Sequence, residues 1–100
     1  MPGFQVEVPH ALGRQQAIDR LQPFVSQLVE KFKEQVSKSE GSWLDNVLTF
    51  ALTTYGFSIT GELKVEDDAV RLQGQLPFAA LPFKGKIEQS IARELQKELA

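Results

Sequence analysis

The chain switches between two spacings of its apolar residues, and this switch limits the possible folds more than any other feature. The run Phe4–Val8 alternates apolar with polar residues, which predicts a strand with one buried face. From about Gly13 to Lys38 the apolar spacing becomes three and four residues, which predicts an amphipathic helix. Pro23 lies inside this helix and removes a hydrogen bond, so we expect a kink or a restart near Gln22.

The spacing returns to two in the middle of the chain. Ser39–Gly41 is interpreted as a breaker that ends the long helix, and Trp43 as the start of a short strand. Gly61 falls on an apolar strand face, which predicts a bulge or a close approach by a helix. Three further strands are predicted at Val47–Leu52, Phe57–Val65 and Val70–Leu76. Turns are predicted between them at Asp45–Asn46, Thr53–Gly56 and Glu66–Asp68.

A second helix is predicted at the end of the chain. Pro82 suits the first position of a helix, where its missing N–H is not needed. From there an apolar residue recurs every four positions, at Phe83, Ile87, Ile91, Leu95 and Leu99.

This order of elements predicts the fold class. Consecutive strands with short turns pair antiparallel as a meander, and two amphipathic helices need one apolar sheet face to cover. We therefore expect an α+β fold of two layers, with a meander sheet of four to five strands and two helices on one face. The topology is similar to a shortened helix-grip or TATA-binding-protein-like arrangement. The 100 residues, with no internal linker or repeat, indicate one domain over residues 1–100.

Composition excludes several classes of protein. A net charge of −2 argues against nucleic-acid binding and against strong attachment to anionic lipid, because both need an excess of Lys and Arg. There is no cysteine, so disulfides and zinc–thiolate sites are excluded. No run approaches the roughly 18 apolar residues of a membrane span, and the N-terminal residues do not resemble a secretory signal. We expect a cytoplasmic protein.

The sequence contains few residues that could form a catalytic or cofactor-binding site. Only Glu7 lies near His10 in sequence as a possible metal-ligand partner, and the favoured interpretation is that His10 orients the turn after the first strand. Gly56–Gly61 resembles a serine-nucleophile motif, but its second glycine comes one residue late and Ser58 lies in a predicted strand. Lys84 and Lys86 flank a glycine at a helix start, where an anion can bind, although a solvated turn is more common. We expect no enzyme activity and no cofactor.

The most suggestive segment is apolar. Leu76–Phe83 carries no charge and includes Phe78, Leu81 and Phe83. The favoured interpretation is a connection that buries these side chains at the edge of the core, with partial exposure of one. The alternative is an exposed patch that contacts an apolar partner, with Trp43 as a further candidate.

Several pieces of the chain, in order, resemble one known family. They are His10-Ala11-Leu12-Gly13 with Ala17, then Trp43 ahead of Leu48-Thr49-Phe50, Gly56 and Gly61, and finally Leu81–Glu88 with Ile91 and Leu95. Together they resemble the polyhydroxyalkanoic acid (PHA) system, or granule-region, proteins of bacteria, over Phe4–Leu99. The resemblance implies a role among proteins that make or use PHA, including proteins of granule surfaces. It implies no catalytic residue and no cofactor.

Two hypotheses for function follow. In the first, an apolar surface with Phe78 or Phe83 binds a PHA granule, a granule-associated protein or a second copy of the chain. In the second, the sheet and the final helix enclose an acyl or hydroxyacid ligand, with Gly61 and Gly74 making room for it. The second hypothesis requires a cavity of roughly a few hundred Å³ in the core.

Overall fold

The computed structural model describes residues 3–54 and 56–100 and has the predicted α+β architecture. Five antiparallel strands form one sheet in the order β1-β5-β4-β3-β2. The strands are β1 (Gly3–Pro9), β2 (Val36–Leu44), β3 (Val47–Thr54), β4 (Phe57–Val65) and β5 (Ala69–Gln75). The helices are α1 (Arg14–Leu21), α2 (Phe24–Lys31) and α3 (Lys84–Leu99), with a 3-10 helix at Phe78–Phe83.

The meander prediction is confirmed for β2 to β5. The last strand, β5, also pairs with β1 on its other side. The helices cover one sheet face, and α1 contributes Ala17, Ile18 and Leu21 to the core while α3 contributes Leu95 and Leu99. The other face of the sheet carries the polar positions of each strand. None of the helices is long and apolar enough to span a membrane within residues 3–54 and 56–100.

Pro23 separates two helices, as its position in the apolar stripe predicted. α1 ends at Leu21 and α2 begins at Phe24, with Gln22 and Pro23 between them. Phe24, the first residue after the break, is buried, so α2 begins with an apolar side chain packed in the core.

The predicted extension of the first helix to Lys38 is wrong. α2 ends at Lys31, and residues 36–44 form the edge strand β2, so Ser39–Gly41 is strand and not a breaker. On the side of β2 that faces the helices, Ser39 and Gly41 precede Trp43, so the strand lacks an apolar pattern. A Cβ on Gly41 would be 3.4 Å from Val25 Cγ2, and only a small residue fits there without adjustment.

The predicted turn at Asp45–Asn46 is present as a two-residue hairpin between β2 and β3. Asp45 has a φ of 54°, a left-handed conformation that aspartate tolerates better than most residues. The next predicted turn, at Thr53–Gly56, includes Tyr55, which lies outside the described residues. β3 continues to Thr54, two residues beyond its predicted end.

One row of residues across the sheet explains how the core closes. Phe50 on β3 lies opposite Gly61 on β4, which lies opposite Gly74 on β5, which lies opposite Phe4 on β1. The two rings lie over the two glycines: a Cβ on Gly61 would be 2.8 Å from Phe50 Cζ, and one on Gly74 would be 2.5 Å from Phe4 Cε1. The close approach predicted at Gly61 is made by an aromatic ring and strand backbone, not by a helix.

Candidate functional site

The segment after β5 turns outward instead of burying its aromatic side chains. Pro77 is extended, with φ −65° and ψ 155°, and its carbonyl accepts a hydrogen bond from Ala80 N at 2.9 Å. In a 3-10 helix of about three residues per turn, only one face can point inward. Leu76 and Ala80 are buried and anchor the segment to the core.

The remaining large side chains of this segment are exposed. Phe78 is 72% exposed, Phe83 50% and Leu81 41%. We call these three side chains the apolar patch. The favoured sequence interpretation, burial at the edge of the core, is wrong for all three. Phe78 and Leu81 are three residues apart and therefore share a face of the 3-10 helix that points away from the core, while Phe83 is exposed where this helix meets α3.

Lys84 and Lys86 follow the apolar patch in the first turn of α3. Lys84 is half-buried and Lys86 is exposed. No ion pair involves either lysine among the residues that the structure describes. The patch therefore has a basic border on its C-terminal side.

Trp43 is not part of this surface. It lies on β2, at the opposite edge of the sheet from β1, and it is half-buried against the core cluster. Its cross-strand neighbour is the buried Leu48. Trp43 therefore packs against the core at this edge of the sheet, and the structure does not bring it together with Phe78, Leu81 or Phe83.

His10 holds the connection between β1 and α1. Its Nε2 donates to the Glu66 carbonyl at 3.0 Å, and its Nδ1 accepts from Leu12 N at 3.2 Å. These two bonds define a neutral imidazole protonated at Nε2. Ser58 lies at the start of β4 and Glu66 just beyond its end, so about 26 Å of strand separates Ser58 from His10's partner. The structure does not bring His10 and Ser58 together.

No group of three or more His, Cys, Asp or Glu side chains that could hold a metal ion occurs within the described part of the chain.

The space between helices and sheet is filled. The cavity lined by Phe24, Leu28, Leu63, Ile91 and their neighbours measures about 20 Å³. The hypothesis of an enclosed acyl ligand needed roughly a few hundred Å³ at this place. Gly61 and Gly74 make room for the Phe50 and Phe4 rings and not for a ligand.

A larger concavity of about 710 Å³ lies on the uncovered sheet face, and sequence analysis missed it. Amide and hydroxyl side chains line it, together with Glu40 and Glu62. The polar residues of the alternating runs predicted which side chains face this side of the sheet. They did not predict the curvature of the sheet that makes it concave. Its lining side chains can exchange hydrogen bonds with water, and no cluster of catalytic character stands among them.

Comparison with known proteins gives one match. A family model described as "Putative polyhydroxyalkanoic acid system protein" matches residues 4–99. No curated protein and no solved structure matches the chain.

Proposed function

The chain belongs to the polyhydroxyalkanoic acid system family, and from that membership we propose that it is a non-catalytic accessory protein that binds the surface of PHA granules. The apolar patch is the observation that carries the proposal. Phe78, Leu81 and Phe83 lie within six residues of the chain and are exposed, in a domain that buries most of its other large apolar side chains. Such a cluster on a small domain is typical of a docking surface.

In the free protein, the exposed side chains of the patch do not gain the stabilisation that burial gives. Full burial of a leucine or phenylalanine side chain stabilises by about 1.5–3 kcal/mol. The patch leaves part of this stabilisation unused until a partner covers it. An apolar polymer surface, or an apolar protein on that surface, removes the same area from water without a specific hydrogen-bonding pattern.

The patch is also well placed for docking. Buried Leu76 and Ala80 fix its backbone to the core, so the exposed side chains are presented without an ordering cost for the whole segment. The polar concavity lies on the uncovered sheet face and carries two glutamates, which suits contact with water better than contact with a polymer.

Co-sedimentation with isolated PHA granules tests the proposal. The variant Phe78→Ser/Phe83→Ser removes two patch side chains that are 72% and 50% exposed, so the fold is expected to persist. We expect its partition onto granules to fall by about tenfold or more. The variant lacks two phenylalanine rings, and with them the favourable free energy of moving those rings from water onto the granule.

Leu44→Ser is the matched control. Leu44 is 78% exposed, but it lies at the β2–β3 hairpin, at the far edge of the sheet from the patch. We expect this variant to sediment with granules as wild-type protein does. Wild-type protein that stays in the supernatant, or equal losses in both variants, would contradict the proposal.

A further inference from the structure

The acidic residues and most of the basic residues of α3 lie on different sides of the helix. The helix contains three glutamates, and each one is half-buried and turned toward the body of the protein. The fully exposed positions of the helix carry basic or neutral residues alone: Gly85, Lys86, Gln89, Arg93, Gln96 and Lys97.

Contacts with the rest of the fold hold these glutamates inward. Glu88 Oε2 accepts from the backbone N–H of Gln5 at 3.0 Å, which also closes the outer edge of β1. Glu94 forms an ion pair with Lys31 at 2.5 Å, and its side chain is only 14% exposed. The hydrogen bond from Lys31 holds the pKa of Glu94 below its usual range, so this carboxylate stays ionised. The charge of Lys31 balances it. The side-chain amide of Gln27 lies against Glu98 Oε1 at 2.8 Å.

Lys86 and Arg93 have no such partners. Among the described residues, no ion pair involves either of them. They are seven residues apart, which places them about two turns and 10.5 Å apart along the same side of the helix. We call Lys86, Arg93 and the neutral positions between them the basic stripe.

The basic stripe begins where the apolar patch ends. Phe83 is the residue before α3, and Lys86 follows within the first turn. Apolar side chains next to exposed cations are the arrangement of interfacial helices, in which the apolar groups enter the headgroup boundary and the cations contact anionic headgroups. A nucleic acid or an acidic protein would use the cations but gives no role to three adjacent exposed apolar side chains.

We propose that the apolar patch and the basic stripe together form a docking surface for an anionic lipid interface. The proposal deepens the proposed function and rests on it, because the same patch supplies the apolar anchors. The overall charge of −2 argued against attachment to anionic lipid. The local distribution outweighs that balance, because charges farther from the interface than the Debye length of about 8–10 Å are screened.

Vesicle sedimentation tests the inference, with phosphatidylcholine vesicles and with vesicles containing phosphatidylglycerol in addition. We expect wild-type protein to prefer the anionic vesicles and to lose this preference as salt is raised. The variant Lys86→Gln/Arg93→Gln removes both cations of the basic stripe. Each cation near such a surface contributes about a fivefold factor in binding, so we expect a loss of about 25-fold on anionic vesicles.

The control Lys38→Gln/Lys64→Gln removes two exposed lysines from β2 and β4, on the uncovered sheet face, and we expect wild-type binding. Equal binding to both vesicle types, or no effect of Lys86→Gln/Arg93→Gln, would overturn the inference. Failure on vesicles combined with patch-dependent sedimentation on bare PHA particles would also overturn it, while leaving the proposed function in place. Loss in both assays would contradict both.

Discussion

At the scale of single residues, the fold depends on a few positions where size matters more than polarity. Gly74 illustrates this best. A Cβ at this position would be 2.5 Å from both Phe4 Cε1 and the Thr60 carbonyl oxygen, and the second of these is backbone that cannot move aside. The glycine lets β5 lie flat under the Phe4 ring, and the ring in turn fills the space that a ligand would need.

Gly74→Ala is therefore expected to destabilise the protein by about 1–3 kcal/mol through overpacking. Gly85→Ala is the matched control, because a Cβ on Gly85 meets nothing within 4 Å and alanine favours a helix by up to about 1 kcal/mol. Urea unfolding of the two variants measures the free energies. A Gly74→Ala variant as stable as wild type would show that the Phe4 ring does not lie over this position.

At the scale of elements, the long alternating runs could be predicted from sequence and the edge strand could not. β1, β3, β4 and β5 bury every second side chain, and Pro23 marks the helix restart, so their patterns carry the information. β2 is exposed along nearly its whole length, with Ser39 and Gly41 on its covered side. Its strand conformation comes from pairing with β3 across the Asp45–Asn46 hairpin, which is a tertiary effect.

The candidate site divides in the same way. The uncharged segment Leu76–Phe83 could be picked out from composition, because an uncharged run with two phenylalanines is unusual next to a helix. Its exposure could not, since the 3-10 geometry that gives the inward face to Ala80 leaves no periodic signal. The basic stripe was hidden as well, because the glutamates and cations of α3 alternate in sequence and separate only when Gln5 and Lys31 pack against the helix.

Amide hydrogen exchange tests the description of β2. Within the described part of the chain, β2 pairs with β3 on one side and with no strand on the other, whereas β4 is paired on both sides. We expect the amides of β2 that point away from β3 to exchange much faster than those of β4, because they open to water without unfolding. Protection of Val36–Leu44 equal to that of Phe57–Val65 would indicate a partner strand or a different local structure.

At the scale of the whole molecule, the surface divides into regions of different chemistry. One sheet face is polar, the other is closed by helices over a filled core, and the apolar patch with the basic stripe occupies the α3 side. The proposed docking needs only this exposure and charge placement, while catalysis would need converging polar groups.

The measurement that tests docking through the apolar patch most directly is site-specific fluorescence on granules. The chain has no cysteine, so a single cysteine can carry an environment-sensitive dye without ambiguity. Ala79→Cys places the dye at an exposed position between Phe78 and the rest of the patch, and Ser58→Cys places it at an exposed position on β4. We predict a blue shift on adding PHA granules at position 79 and none at position 58. A shift of the same size at both positions, or at position 58 alone, would contradict docking through the patch.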